Sequence, residues 1–155
     1  MAITIQKESF TEIMDELPPI FEEHWLEVAM DHKFIELDPD WQRYMQMEAQ
    51  GMLHMMTVRD EGILVGYFVN IVLTHLHYRK SLTAFSDILY LLPDYRTSGK
   101  GLSSTGYRLL RATEKMLKGL GVQKSYLMTK NYIPLNMLTK RLKYRLSEKV
   151  YTKLL

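Results

Sequence analysis

The chain has 155 residues, no cysteine and a formal net charge of +2 at pH 7. That length is ample for one domain, spanning residues 1–155, with a full core, and the absence of cysteine excludes a disulfide framework, a thiolate metal site and a cysteine acyl relay. No stretch is long and apolar enough to cross a bilayer and no signal peptide opens the chain, so a cytoplasmic protein without membrane contact is expected.

Ala2 to Gln6 alternates and predicts a short first strand. Ser9 or Thr11 can cap a helix reaching Leu17, with Glu12 three residues after Ser9 as a capping box requires. Pro18-Pro19 interrupts it, and a second helical run is expected from Ile20 to about Met30, where Phe21, Trp25 and Val28 lie at helical spacing. Asp38-Pro39-Asp40 caps a helix to Gln50 that Gly51 stops. Met52 to Arg59 reads as a strand, Asp60-Glu61-Gly62 as a turn, and Ile63 to Tyr78, apolar on both faces, as a long central strand. Arg79-Lys80-Ser81 is expected to turn the chain into a strand from Leu82 to Leu92. Such short connections make these three strands antiparallel neighbours.

A helix is expected from Gly101 to Gly119, with Leu102, Leu109, Leu110, Thr113, Met116 and Leu117 in its apolar stripe. Val122 to Thr129 follows as a strand. Strand, helix and strand in this compass form a right-handed crossover, which makes the two strands parallel. Pro134 opens a last helix to about Leu142, and Tyr144 to Leu154 is expected to close the sheet. The fold class is therefore α+β, with a mixed, mostly antiparallel sheet and one parallel pair.

The segment Asp87 to Ser104 concentrates the chemistry. An apolar strand ends at Pro93, a loop carries Arg96, Gly99 and Gly101, and a helix begins. A strand, a glycine-bearing loop and a helix N-terminus in succession present backbone N–H groups and a positive dipole end to one point, which suits a phosphate. GxxxxGK followed by Ser or Thr is absent, as is GxGxxG, which excludes a Walker loop and a dinucleotide fingerprint. The competing reading is an ordinary turn whose glycines serve only backbone freedom. Charge divides near the same place. Residues 1–89 carry fifteen Asp and Glu against six Lys and Arg, a net −9, and residues 90–155 carry three against fourteen, a net +11. A basic second half suits a polyphosphate ligand and an acidic first half a cationic amine, unless the two are simply solvated surfaces. Nucleic acid fits the basic half less well, since no zinc finger or aromatic–basic RNA motif accompanies it.

Arg96-x-x-Gly99-x-Gly101, directly after Leu91-Leu92-Pro93-Asp94-Tyr95, resembles the pyrophosphate loop of the GNAT N-acetyltransferases. The resemblance extends from about Gly62 to Leu155. With the stretches His75–Lys80 and Lys149–Leu155, it is similar more narrowly to the short acetyltransferases encoded by tailed bacteriophages. It implies a three-layer fold in which helices cover both sheet faces and the parallel pair splays around acetyl-CoA. Main-chain amides from Thr97 through Ser98, Gly99, Lys100 and Gly101 to Leu102 would cradle the pyrophosphate, with Arg96 or Lys100 adding charge. The backbone of Leu89 and Leu91 would pair with the pantetheine arm, and Asn131 would touch it, unless Asn131 is only a turn residue.

The resemblance also implies transfer of the acetyl group to a primary amine by direct attack in a ternary complex. Asp87 is the leading base, directly or through water, because a carboxylate on a strand face shared with Phe85, Leu89 and Leu91 is costly unless paired or functional. The competing reading is a structural Asp bonded to backbone or to a Tyr. His75 and His77 are alternatives as base; without a carboxylate partner they do not make a metal site, and none is expected. Family members carry a Tyr on the last helix that protonates the leaving sulfur. The matching position here is Leu138, beside Thr139, so Tyr132 or a water would replace it. The acceptor would be a small molecule or a protein amine, and an edge strand at the C-terminus suits a homodimer. The alternative function is a catalytically weak or inactive protein of the same fold that binds a host protein or nucleic acid.

Overall fold

The structure, a computed structural model, describes residues 2–96, 104–133 and 135–155. In chain order it contains β1 (Ile3–Glu8), a 3-10 turn (Met14–Glu16), α1 (Leu17–Val28), α2 (Trp41–Ala49), β2 (Leu53–Asp60), β3 (Ile63–His75), β4 (Tyr78–Leu91), α3 (Pro93–Arg96), α4 (Thr105–Gly119), β5 (Val122–Tyr126) and α5 (Asn136–Arg141). One five-stranded sheet runs in the order β1-β2-β3-β4-β5. Its first four strands are antiparallel neighbours and β5 is parallel to β4. This is the expected mixed sheet with one parallel pair.

Helices cover both faces. On one, Phe10, Ile13, Leu17, Ile20 and Phe21 bury Leu53, Met55, Tyr67, Val69 and Tyr90, with Trp41 and Tyr44 of α2 alongside. On the other, Leu109 and Leu110 of α4 bury Met56, Val58, Phe68 and Leu91. Alternate residues of each strand thus go to opposite faces, as a pleated strand requires. The β2–β3 hairpin turns on Glu61 and Gly62, both at positive φ (49° and 89°), which the tight two-residue turn demands.

Several elements depart from their expected positions. Residues 9–13 form turns, not a helix. The Glu48 carboxylate, at the end of α2, takes the Phe10 and Thr11 amides and the Ser9 and Thr11 hydroxyls, and the Ser9 hydroxyl accepts from the Glu12 amide at 3.3 Å as the capping reading expects. Pro18 and Pro19 do not interrupt α1 but stand in its first turn, where the missing N–H groups have no intrahelical acceptor in any case. The β3–β4 turn is Leu76-His77, and Arg79, Lys80 and Ser81 belong to β4. They read as a turn because the end of this hairpin stands in water, where strand residues are free to be polar. Residues 143–155 form no strand: Leu146, Val150 and Tyr151 are exposed, and β5 is the sheet's edge. The expected helix start at Gly101 and the opening at Pro134 lie outside the described residues.

Arg59, only 9 % exposed, pins the first half together. Its guanidinium binds Glu8 of β1, Glu16 before α1 and the Gly62 carbonyl of the hairpin. Burial alone would raise the Glu8 carboxyl, but hydrogen bonds from Arg59 and Thr57 outweigh it and hold the group below its usual 4.5. Glu16 is lowered chiefly by its hydrogen bond to Arg59. A carboxyl whose folded pKa is depressed contributes stability above its unfolded pKa and loses it as pH falls through the folded value. Arg59→Met is therefore expected to cost about 3 kcal/mol at pH 7, since it strands a largely buried carboxylate, and to flatten the loss of stability on acidification below about pH 4.5. Denaturant titrations across that range measure both, and wild-type stability in the variant would contradict the assignment.

Candidate active site

β4 and β5 pair only as far as Phe85 and Tyr126. The last link beyond that pair is the Met128 amide on the Ser86 hydroxyl, at 2.7 Å. From Asp87 to Leu91, β4 continues alongside β3 with no strand on its other edge among the described residues. Beyond Phe85 and Tyr126 the two strands thus part, leaving an opening beside the end of β4.

A bulge sets its geometry. Asn70 pairs with Ser86 but Val69 pairs with Ile88, so Asp87 is the inserted residue. Such an insertion bends the strand and re-aims side chains. Asp87 turns toward α2 and accepts a 2.7 Å hydrogen bond from the Tyr44 hydroxyl. Leu89 and Leu91 pack on the α4 side, while Ile88 and Tyr90 join the α1 side. Asp87 therefore does not share a face with Leu89 and Leu91, because the bulge breaks the alternation on which that expectation rested. Tyr44 itself is pushed well above the ordinary phenol range, by burial first and by Asp87 second.

Strand geometry orients the backbone along the open edge. The Leu92 amide bonds the Val65 carbonyl, so residue 92 faces β3. Alternate residues turn their N–H and C=O to opposite edges, so Leu89 and Leu91 turn theirs toward the opening. The Leu91 carbonyl there accepts from Arg96 Nε at 2.7 Å. Behind it, Gly66 pairs with Leu91, and a Cβ on Gly66 would lie 2.7 Å from Leu91 Cδ1 and 2.9 Å from the Tyr90 carbonyl. At the inner end of the opening the fully buried Asn70 stands opposite Ser86, and its side-chain nitrogen and oxygen have no protein partner among the described residues.

Arg96 is engaged in several contacts. Its two terminal nitrogens bind both Glu27 oxygens, at 2.6 and 2.7 Å, and its guanidinium lies over the Tyr90 ring. Glu27 also accepts from the Tyr90 hydroxyl, and its carboxyl is lowered chiefly by Arg96. Burial, then Glu27, pushes Tyr90 up to about 12. This cluster ties the last turn of α1 to the end of β4. On the opposite bank the Tyr132 hydroxyl donates to the Val28 carbonyl at 2.8 Å, and Asn131 is an exposed turn residue beside it. Thr97, Ser98, Gly99, Lys100, Gly101 and Leu102 lie outside the described residues. The chain resumes at Ser104, whose hydroxyl caps α4 by accepting from the Tyr107 amide. Leu138 packs in the α4 cluster beside Gly106, and the Thr139 hydroxyl returns to its own helix. No phenol stands at either position.

Other candidates lie toward the β3–β4 turn. His75 ends β3, five residues beyond the Asn70 that faces the bulge, and its ring stacks on Phe85 with centroids 6.2 Å apart, while His77 lies in the hairpin turn. Among the described residues no group of three His, Asp or Glu is placed to hold a metal ion. Conversely, the structure adds His24, Tyr90 and Gly66, and gives Glu27, an acidic residue beside the α1 stripe in sequence, a partner in Arg96. Of the three added, only His24 left a signal in the sequence, as a polar residue four after Ile20 and four before Val28 on the apolar stripe of α1.

Gly66→Ala is expected to destabilise the protein by about 1–3 kcal/mol, because the new methyl group overpacks against β4. Thermal unfolding measures this; an unchanged melting temperature would show that β4 gives way freely at Leu91.

No protein-family model matches the sequence, and no curated protein matches it. Solved structures do. An aminoglycoside acetyltransferase from an uncultured soil metagenomic sample, in complex with sisomicin, superposes with a TM-score of 0.70 at 15 % identity, covering 99 % of this chain and 94 % of that one. A predicted acetyltransferase with acetyl-CoA from Clostridium acetobutylicum gives 0.72 at 12 %, covering 99 % and 96 %. Glucosamine-6-phosphate N-acetyltransferase from Arabidopsis thaliana gives 0.72 at 11 %, covering 99 % of both chains. The chain has the fold of the GNAT acetyltransferases.

Proposed function

We propose that the chain is an N-acetyltransferase that moves an acetyl group from acetyl-CoA to a primary amine by direct attack in a ternary complex. The observation that carries this reading is the parting of β4 from β5 beyond Phe85, with the backbone of Leu89 and Leu91 turned into the gap and the capped N-terminus of α4 close by in sequence. A strand edge left unpaired inside a sheet offers a ladder to an extended amide chain such as pantetheine. In this reading residues 1–155 form one acyl-CoA-binding domain. Thr97 to Leu102 and the α4 dipole hold the pyrophosphate, with Lys100 as added charge. Arg96 acts by fixing the Leu91 carbonyl and the end of α1, and Asn131 borders the pantetheine arm. Asn70 lends weight too, since leaving a buried amide without a partner costs about 1–3 kcal/mol and calls for a partner at this place.

The Leu91 amide would polarise the thioester carbonyl. The amine enters from the α1–α2 face, where Asp87 sits with one carboxylate oxygen on Tyr44 and the other open to act as base through water. Attack forms the new C–N bond, the C–S bond breaks, and the thiolate takes a proton from water, or from Tyr132 once its hydroxyl leaves the Val28 carbonyl. Acidic residues of α1, Glu22 and Glu23, favour a cationic acceptor. The neighbours that act on aminoglycosides or glucosamine-6-phosphate lend weight to an amine of that kind. The phage-encoded branch and a cytoplasmic site of action belong to the same proposal, as does a homodimer built on the open β5 edge.

A second reading has one observation in its favour. Leu138 and Thr139 leave the last helix without a proton donor, which suits a protein that binds the cofactor but acts by docking to a macromolecule. Calorimetric titration with acetyl-CoA, then a thiol-release assay over a panel of amines, separates the two. Binding with turnover is expected for the wild type, and Gly101→Glu is expected to abolish binding while the melting temperature holds. Binding without turnover on any amine would favour the second reading, and no binding at all would overturn both.

A further inference from the structure

His24 lies on the buried stripe of α1, one turn before its end. Its ring stacks on Tyr90, with centroids 4.5 Å apart and planes 15° from parallel. Nδ1 lies 2.9 Å from the Tyr67 hydroxyl. Tyr67 has no exposed surface, and its hydroxyl has no other partner among the described residues. A buried hydroxyl needs an acceptor for its proton, and Nδ1 is the one the fold supplies. The hydroxyl therefore donates to Nδ1, and the ring proton resides on Nε2. Nε2 has no protein partner among the described residues.

Building on the acetyl-transfer reading above, we propose that His24 is a substrate-positioning residue: a neutral imidazole, locked by Tyr67 as the Nε2–H tautomer, that donates a hydrogen bond to an uncharged oxygen of the acceptor close to its amine. The ring stacks on Tyr90, which packs on the α1 face, whereas the side chains of Leu89 and Leu91 pack on the α4 face. It thus borders the acceptor's side of the opening, not the cofactor's. The charged groups facing it come from three elements: Glu27 on α1, Arg96 on α3 and Lys130 after β5. Burial is the main cause that lowers its pKa to about 4, Arg96 and Lys130 add to it, and Glu27 opposes it. A ring that stays neutral does not repel a cationic amine. It also supplies an N–H where Glu27 and Glu23 offer only acceptors. The acceptor class that fits is an amine with a hydroxyl or carbonyl nearby, such as an amino sugar or a peptide. A plain polyamine, whose donors have no use for another donor, does not fit.

The test uses the full chain with ¹⁵N-labelled imidazoles followed by NMR. The expected result is a single Nε2–H tautomer that takes up no proton between about pH 5 and 8. Glucosamine or an Ala-Lys dipeptide should shift the Nε2–H resonance, and spermidine should not. In steady-state assays His24→Phe, which keeps the stack on Tyr90, should raise KM for the oxygen-bearing amine about tenfold, with kcat within about twofold and acetyl-CoA affinity unchanged. His24→Gln, which returns an N–H near the position of Nε2, should recover part of the loss. A ring that titrates near pH 6.5, an Nδ1–H tautomer, or a resonance indifferent to both oxygen-bearing amines would overturn the proposal. Failure of acetyl-CoA to bind the wild type would instead overturn the acetyl-transfer reading, while the tautomer and the response to amines still decide the role of His24.

Discussion

One inserted residue governs this structure. Asp87 has no partner of its own on β3, and at that point β4 bends and leaves β5. The sheet can open there because the cost of unpaired backbone is met locally. Ser86 takes the Met128 amide, and Arg96 takes the Leu91 carbonyl. Gly66 leaves the room that lets β3 follow the end of β4 closely. Among the described residues, the edge that stays without a partner strand runs only from Asp87 to Leu91.

Around that opening, charge is used as a clamp. The Arg96–Glu27 pair, with Tyr90 beneath it, holds α1 against the end of β4. Both side chains are more than a third exposed, so water screens the pair and its value is chiefly geometric. The Arg59 pair with Glu8 is more deeply set and joins β1, β2 and the approach to α1. Together they fix α1 at both ends. Held at both ends, α1 keeps His24 against Tyr67 and Tyr90 and Glu27 against Arg96 and Tyr90.

Much of the fold was legible because its signals are local. Glu61-Gly62 announced a tight hairpin, Asp40 and Gly51 bounded α2, and the stripe through Leu109, Leu110, Thr113 and Leu117 marked α4. Features set by distant partners were not legible. Glu48 lies 37 to 39 residues from the amides and hydroxyls it captures, so nothing in residues 9–13 announces the carboxylate that holds them. The bulge was invisible for a different reason. The run from Phe85 to Leu91 alternates plausibly with or without an insertion, and only the pairing with Asn70 and Val69 discloses it. The tail misled because its apolar residues alternate as a strand would, yet alternation does not supply a partner edge. Of the candidate site, Leu89, Leu91 and Asp87 could be nominated from the strand that precedes the glycine loop. The α1 contribution could not, since it depends on which face of the sheet that helix covers.

The central claim is that the unpaired edge of β4 receives the amide chain of the cofactor. Hydrogen exchange at the Leu89 and Leu91 amides, with and without acetyl-CoA, tests it most directly. Strong slowing at both on adding acetyl-CoA, with little change at the Leu92 amide already bonded to Val65, is the predicted result. Exchange that stays fast at Leu89 and Leu91 under saturating acetyl-CoA would contradict it.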